Sequence, residues 1–264
     1  MATNVWTGVT DDFSINGMAG MVSDNEVFFP PTAPNGPATN MATWTAVDAD
    51  LVQVMRGVTY SIGTSGSPMD MSADKLEYLG TSGKWWIKDG GATTDWVVIN
   101  STSRNPIDHD CFNLTGATFT HLDVMRGAGT IAAAGTVTNF IVAPEGKLTI
   151  EASATITLGM LDGGIVLASA AVPTARISGG SWTQILGVPT TIDQTGGQSV
   201  WKKSGTITTV YARANSILDF TQADGVVTIT TLHKHPSAKI LGWNPENNGI
   251  VVATNLRVIS SDQY

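Results

Sequence analysis

The feature that most constrains this chain is a short motif, Thr–x–apolar, that keeps returning through its second half. It occurs as Thr120-His-Leu122, Thr138-Asn-Phe140, Thr190-Thr-Ile192, Thr208-Thr-Val210, Thr230-Thr-Leu232 and Thr254-Asn-Leu256. Two looser members, Thr157 with Met160 and Thr174 with Ile177, fall one residue out of step. In order, these threonines are 18, 19, 17, 16, 18, 22 and 24 residues apart, a mean of about 19. A near-constant period of this size marks a stacked repeat.

Each repeat carries two short alternating runs, as in Leu148/Ile150 followed by Ile156/Leu158. Period-two alternation gives strands with one buried face. Small residues open the strands at Gly129, Gly146, Gly164, Gly180, Ser199, Ser216 and Ser237. Turn chemistry separates them at Ala143-Pro-Glu-Gly146, Asp162-Gly-Gly164, Gly179-Gly180, Gly196-Gly197 and Ala223-Asp-Gly225. One such unit cannot cover its own apolar face or pair its own edges, and stacking satisfies both needs. Regular turns also suit a β-sandwich, but the return of one residue type at one phase favours a stack. The expected fold is all-β, a β-solenoid (parallel β-helix) with rungs of about 16–24 residues.

The repeat reaches upstream. Val54-Met-Arg-Gly57 recurs as Val124-Met-Arg-Gly127, 70 residues on, which is close to four rungs of 17.5. Less regular β segments are expected around Tyr60–Ile62, Leu76–Leu79, Trp85–Ile87 and Trp96–Ile99. Residues 1–45 read as an irregular docking or capping region, because Phe28-Phe-Pro-Pro-Thr-Ala-Pro-Asn-Gly-Pro37 lacks donors and fixes φ. Residues 46–264 form the solenoid, with less regular rungs over 46–119 and clear repeats over 120–264. Five of the eight tryptophans (Trp6, Trp44, Trp85, Trp86 and Trp96) precede residue 100, where they are expected to cap the apolar end of the stack.

Composition fits this reading. Charged residues make up only 14% of the 264, against roughly 25% in ordinary soluble domains. Solubility then rests on Thr, Ser, Asn and backbone groups. Net charge is −8, with no basic run, which argues against direct nucleic-acid binding. The single cysteine, Cys111, excludes an intramolecular disulfide. No charged-then-apolar leader opens the chain and no apolar run nears about 18 residues, so neither a signal peptide nor a membrane helix is expected. The sequons at Asn100 and Asn113 then read as chance.

Candidate chemistry is thin. In Asp108-His-Asp-Cys111, alternation puts His109 and Cys111 on one face of a strand, but a dyad would need an activated thiolate. His233 and His235 stand two apart, which suits one strand face, but a metal needs further ligands. The carboxylates Glu145, Glu151, Asp162, Asp193, Asp219 and Asp224 are the candidates for a polysaccharide-cleaving pair. Most sit beside Gly or Pro, where turn chemistry accounts for them, and they do not fall at one phase of the repeat. The sequence therefore predicts no enzyme, no cofactor and no metal.

Four segments appear in a familiar order: Asn4-Val-Trp-Thr-Gly8, the Pro/Gly stretch around Val27–Pro37, Ser61-Ile-Gly-Thr-Ser-Gly-Ser-Pro-Met-Asp70, and later Gly-Thr-Ile-Thr-Thr-Val repeats such as Gly205–Val210. Together they resemble tailed-bacteriophage virion proteins with β-helical repeats. One departure is that Asn16 is followed by Gly17-Met18, where an Asn-Trp pair is usual. The resemblance implies a non-catalytic virion protein, foremost a capsid decoration (cement) protein. Its expected partner is the major capsid protein, its place the capsid exterior after synthesis in the host cytoplasm, and its assembly a homotrimer, with no direct nucleic-acid or membrane contact. The alternative is a tail fibre or tailspike component that binds or cleaves host glycans. Docking is expected through the N-terminal region, at Trp6, Phe28, Phe29 and Trp44.

Overall fold

The computed structural model describes residues 3–8, 26–37, 48–70, 72–88, 94–116, 118–242 and 250–258. It is all-β, with about 60% strand and 1% helix, wound into a β-solenoid of about 11 turns. The early strands are β1 (Thr3–Val5), β2 (Glu26–Phe29), β3 (Asp48–Val54), β4 (Met69–Asp70), β5 (Ser72–Tyr78), β6 (Trp85–Lys88), β7 (Thr94–Asn100) and β8 (Asp110–Thr115). Long bent strands follow: β9 (Thr118–Ile131), β10 (Thr136–Ile150), β11 (Thr155–Ala168) and β12 (Thr174–Gln184). The later rungs are built from β13 (Thr191–Gln194), β14 (Gln198–Trp201), β15 (Gly205–Ala212), β16 (Ile217–Asp219), β17 (Val227–Lys234), β18 (Lys239–Leu241) and β19 (Ile250–Val258). Every pairing between the named strands is parallel.

The first face shows why these residues stack. One inward column runs Val27–Val52–Leu76–Val97–Leu122–Phe140–Gly159–Ala175–Ile192–Val210–Leu232, each residue in register with the next. All of these are buried. The rungs between them run from 16 residues (Gly159 to Ala175) to 25 (Val27 to Val52). The apolar residue of the recurrent motif is thus a core position. Its threonine sits at a corner where two successive residues face outward, as at Thr138-Asn139 between buried Val137 and Phe140.

The two looser motif members are corrected by this register. Thr157 keeps the corner, but the core position after it is Gly159, not Met160. In the next rung Pro173 holds the corner and Ala175 the core position, so Thr174 faces out and Ile177 belongs to the neighbouring column. The cause lies in packing volume. A Cβ on Gly159 would lie 2.5 Å from Phe140 Cζ and 2.7 Å from Trp182 Cη2, so aromatic rings from other positions already fill that space.

Those rings form an internal stack. Phe140, Trp182, Trp201 and Phe220 follow one another at centroid distances of 5.9, 6.3 and 6.4 Å, with interplanar angles near 20°. On the second face, built by β4, β6, β8, the C-terminal halves of β9 to β12, β14, β16 and β18, Trp182 and Trp201 alternate between the two inward columns, opposite Ser199 and Gln184 respectively. Their indole N–H groups are satisfied inside the core: Trp182 donates to Gln184 Oε1 (3.2 Å), and Trp201 to Ser199 Oγ (2.7 Å). Ser199 in turn donates to Gln194 Oε1 at 2.7 Å. A buried polar group without such a partner costs about 1–3 kcal/mol, which explains why small polar residues accompany the rings.

The repeated tetrapeptide is a true structural repeat. Val54, Tyr78, Ile99 and Val124 share one inward column, so its two copies occupy the same place on their rungs. They are three rungs apart rather than four, because the early rungs carry longer loops. Gly57 (φ +83°) and Gly127 (φ +112°) both turn the chain through the left-handed region. The ladder also begins before residue 45. Thr3 pairs with Glu26 and Glu26 with Leu51, because Val27 and Phe29 alternate inward until Pro30 ends the strand.

Candidate functional site

The expected docking residues are mostly consumed by the fold. Trp6 is 1% exposed, lies 6.3 Å from the Phe29 ring, and donates its indole N–H to Asn35 O at 2.6 Å. Phe29 is fully buried. Neither side chain is open to a partner, because alternation directs both inward. Phe28 faces outward and is half-buried, and Trp44 lies outside the described residues. The other early tryptophans do not form a common cap. Trp85 is buried in the second face, Trp86 carries Lys84 Nζ 4.3 Å from its centroid, and Trp96 is 46% exposed.

His109 and Cys111 do share a face, as alternation predicts. Cys111 Sγ lies 3.2 Å from His109 Nδ1, which also faces Ser101 Oγ at 2.8 Å. His109 Nε2 donates to Gly83 O at 3.0 Å, which leaves Nδ1 an acceptor in the neutral ring. The thiol is fully buried, and burial pushes its pKa up to about 11. That is opposite to the activation a nucleophilic thiolate needs. The cluster instead ties Ser101, the Pro106–Asp108 helical turn and β8 to the loop at Gly80–Gly83.

The two later histidines part company. His233 stacks on Tyr211 at 4.7 Å and 9°, while His235 Nδ1 accepts the Ser237 backbone N–H at 3.1 Å and meets Ser237 Oγ at 2.8 Å. Among the described residues no group of three or more His, Cys, Asp or Glu side chains gathers as for a metal.

Each candidate carboxylate has a structural partner. Asp193 takes a two-point ion pair from Arg213 (2.7 and 3.1 Å), and Asp219 caps Thr221. Glu145 Oε2 lies 2.5 Å from Arg126 Nε, Glu151 accepts the Ala133 N–H, and Asp162 accepts the Ser178 hydroxyl at 2.9 Å. Asp224 accepts from Lys203 and from the Ser204 N–H, and these bonds, the Lys203 one foremost, hold it well below the usual carboxylate range.

The outward side of the first face carries two of the open depressions of the described surface. Two outward columns run along it. One holds Lys75, Trp96, His121, Asn139, Leu158, Thr174 and Thr191, and the other Glu77, Val98, Asp123, Ile141, Met160, Arg176 and Asp193. Two open depressions lie on them, of about 320 Å³ between Trp96, His121, Asp123 and Ile141, and of about 340 Å³ from Ile141 past Met160 and Arg176 to Asp193. Asp162 and Asp193 both line the second, a convergence that the sequence did not reveal because one is a corner residue and the other a strand residue.

These features define a β-solenoid with an amphipathic outer face. In comparisons with known protein families, curated proteins and solved structures, the chain matches none of them. No helix among the described residues is long and apolar enough to cross a membrane.

Proposed function

We propose that this chain is a non-catalytic structural protein of a tailed-bacteriophage virion, a capsid decoration protein that binds the major capsid protein and stabilises the head. The observation that carries this reading is the unbroken parallel ladder from β1 to β19, added to the resemblance of the sequence to phage virion proteins. Every rung hydrogen-bonds to its neighbours, so the rod resists bending along its axis and offers long faces for contact. The candidate carboxylates are engaged in corner and rung contacts, which supports a wall more than a catalyst.

The test is the composition of purified virions, with heads and tails separated and quantified by mass spectrometry. The reading expects the protein in the head fraction at a fixed ratio to the major capsid protein, and rebinding to heads stripped of it. Absence from virions would end it. Confinement to the tail fraction would transfer the protein to the tail fibre or tailspike class.

A further inference from the structure

The ladder stops at both ends on a strand edge that no strand among the described residues covers. At the first end β1 pairs only with β2; at the last, β18 pairs only with β16 and β19 only with β17. The Trp6 backbone N–H donates to Phe28 O, so alternation turns the N–H and C=O of Val5 away from β2 and off the end of the stack. At the other end the Lys239 N–H donates to Ser216 O and Leu241 O accepts from the Phe220 N–H. The N–H and C=O of Ile240, between them, therefore point along the axis to the outer edge. We propose that the solenoid associates head to tail with a second copy of this chain, the β1 end of one molecule seated on the β18–β19 end of the next.

Three observations select a second copy as the occupant. First, the two ends are successive steps of one ladder. The column of Val27 and Leu232 reaches Leu256 on β19 and begins at Asn4 on β1, and every pairing along it is parallel. A copy added along the axis in the same orientation sets its β1 parallel to β19 and continues the same column. Second, the ends carry opposite charge. Residues 1–60 hold six acids and one base, a balance of −5, whereas residues 201–264 hold six bases and four acids, a balance of +2. Glu26 on β2 and Asp50 on β3 belong to the first rungs, and Lys234 on β17 and Lys239 on β18 to the last. Head-to-head contact would set acid on acid, and tail-to-tail contact base on base, so charge selects the heterologous arrangement. Third, each end leaves a large apolar side chain beside its open edge, Val5 at 46% exposure and Leu241 at 40%. An open edge of this kind is a template for a further strand, and a rung laid on it covers part of that surface.

This association goes beyond the structural role proposed above and holds whether or not the chain belongs to a virion. Sedimentation velocity of the whole chain, from about 1 to about 300 μM, tests it. In about 20 mM NaCl the sedimentation coefficient should climb with concentration, with a Kd of about 10–100 μM for so small a contact. Raising NaCl to about 500 mM should weaken the association by about tenfold or more. Two variants each block one end. Val5→Pro removes the N–H that β1 offers and keeps the residues that bond to β2, while Lys234→Glu with Lys239→Glu reverses the charge of the other end. Each variant alone should raise the Kd by about tenfold or more. Mixed in equal amounts they should form a 1:1 dimer that grows no further, since one supplies an intact β18–β19 end and the other an intact β1 end. Circular dichroism verifies folding, and Lys239→Glu alone, at an exposed side chain, replaces the double change if that one unfolds. A sedimentation coefficient that stays flat to about 300 μM at low salt overturns the proposal. It is overturned equally if association survives both end variants, as a side-by-side trimer would, or if the mixture associates no better than either variant alone.

Discussion

Three rungs from Val54 to Val124 take 70 residues, whereas three rungs from Phe140 to Ile192 take 52. Both stretches lay their inward residues in straight columns, so the ladder tolerates either length. They differ at the corners. In the tight stretch, glycine stacks on glycine: a Cβ on Gly180 would lie 2.2 Å from Gly164 O, and one on Gly164 2.5 Å from Gly146 O. In the loose stretch, side chains hold the loops to backbone carbonyls, as Tyr60 does to Pro30 (2.8 Å), Tyr78 to Gly83 (2.9 Å) and Ser101 to Gly80 (3.1 Å). The short corners thus rest on glycine against glycine, whereas the long ones combine side-chain anchors with single tight glycines such as Gly83, whose Cβ would lie 2.2 Å from Tyr60 O.

The largest effect should come from breaking a tight corner. Gly180 combines φ +70° with that 2.2 Å approach, so Gly180→Ala is expected to destabilise by at least about 3 kcal/mol in urea unfolding. The matched change in the loose stretch, Gly57→Ala, meets nothing nearer than Pro31 Cβ at 3.3 Å and should cost only about 1–2 kcal/mol, the strain of positive φ alone. Equal losses at the two sites would erase the distinction.

The cores should differ in the same sense. Trp182→Ala removes the centre of the aromatic stack and should cost about 3–5 kcal/mol. Trp85 in the loose stretch is equally buried, but its Nε1 has no partner. Trp85→Phe removes that orphan donor and should cost under about 1.5 kcal/mol, less than Trp201→Phe, which takes away the hydrogen bond that Ser199 Oγ accepts.

Alkaline pH should act on the loose stretch through Cys111. Its folded pKa of about 11 is above the unfolded value near 9, so the unfolded chain loses its proton first. Stability from this thiol is complete below about pH 9 and declines toward pH 11, by at most about 1.4 kcal/mol per pH unit. Unfolding midpoints at pH 8, 9 and 10 should fall less steeply in Cys111→Ala. The buried tyrosines Tyr60 and Tyr78, also raised by burial, supply the slope that remains.

The smallest effect is expected at the half-exposed Asp193–Arg213 pair. Arg213→Lys keeps the charge but loses the two-point geometry, and should cost about 0.5–1 kcal/mol, shrinking with added salt. A loss that does not depend on salt would assign the effect to packing against Tyr211.

Much of the fold was legible because register repeats residue type. Leu122, Phe140, Ile192, Val210 and Leu232 announce one column, and the two Val-Met-Arg-Gly copies mark one corner. Legibility failed where volume crosses between faces. Gly159 is a core position whose space is taken by Phe140 and Trp182, so no local pattern shows it as core. The rung count between Val54 and Val124 was misjudged for a related reason, since loops lengthen a rung without disturbing its columns. Trp6 and Phe29 read as docking residues because they lie in the irregular N-terminal region, yet alternation directs both inward. The two depressions on the first face were invisible for the converse reason: their residues are a rung apart in space and 16 to 25 apart in sequence.

The central claim is that both stretches belong to one parallel ladder, and distance along the outward column tests it most directly. Nitroxides placed by Lys75→Cys with Thr174→Cys, and by Lys75→Cys with Thr209→Cys, in a Cys111→Ala background, give two spans by pulsed electron resonance. Lys75 and Thr174 are five strands apart and Lys75 and Thr209 seven, so backbone separations near 24 and 34 Å are predicted at about 4.8 Å per strand. A difference of about two strand spacings between the pairs would uphold the ladder. Equal distances, or a shorter span for the second pair, would contradict it.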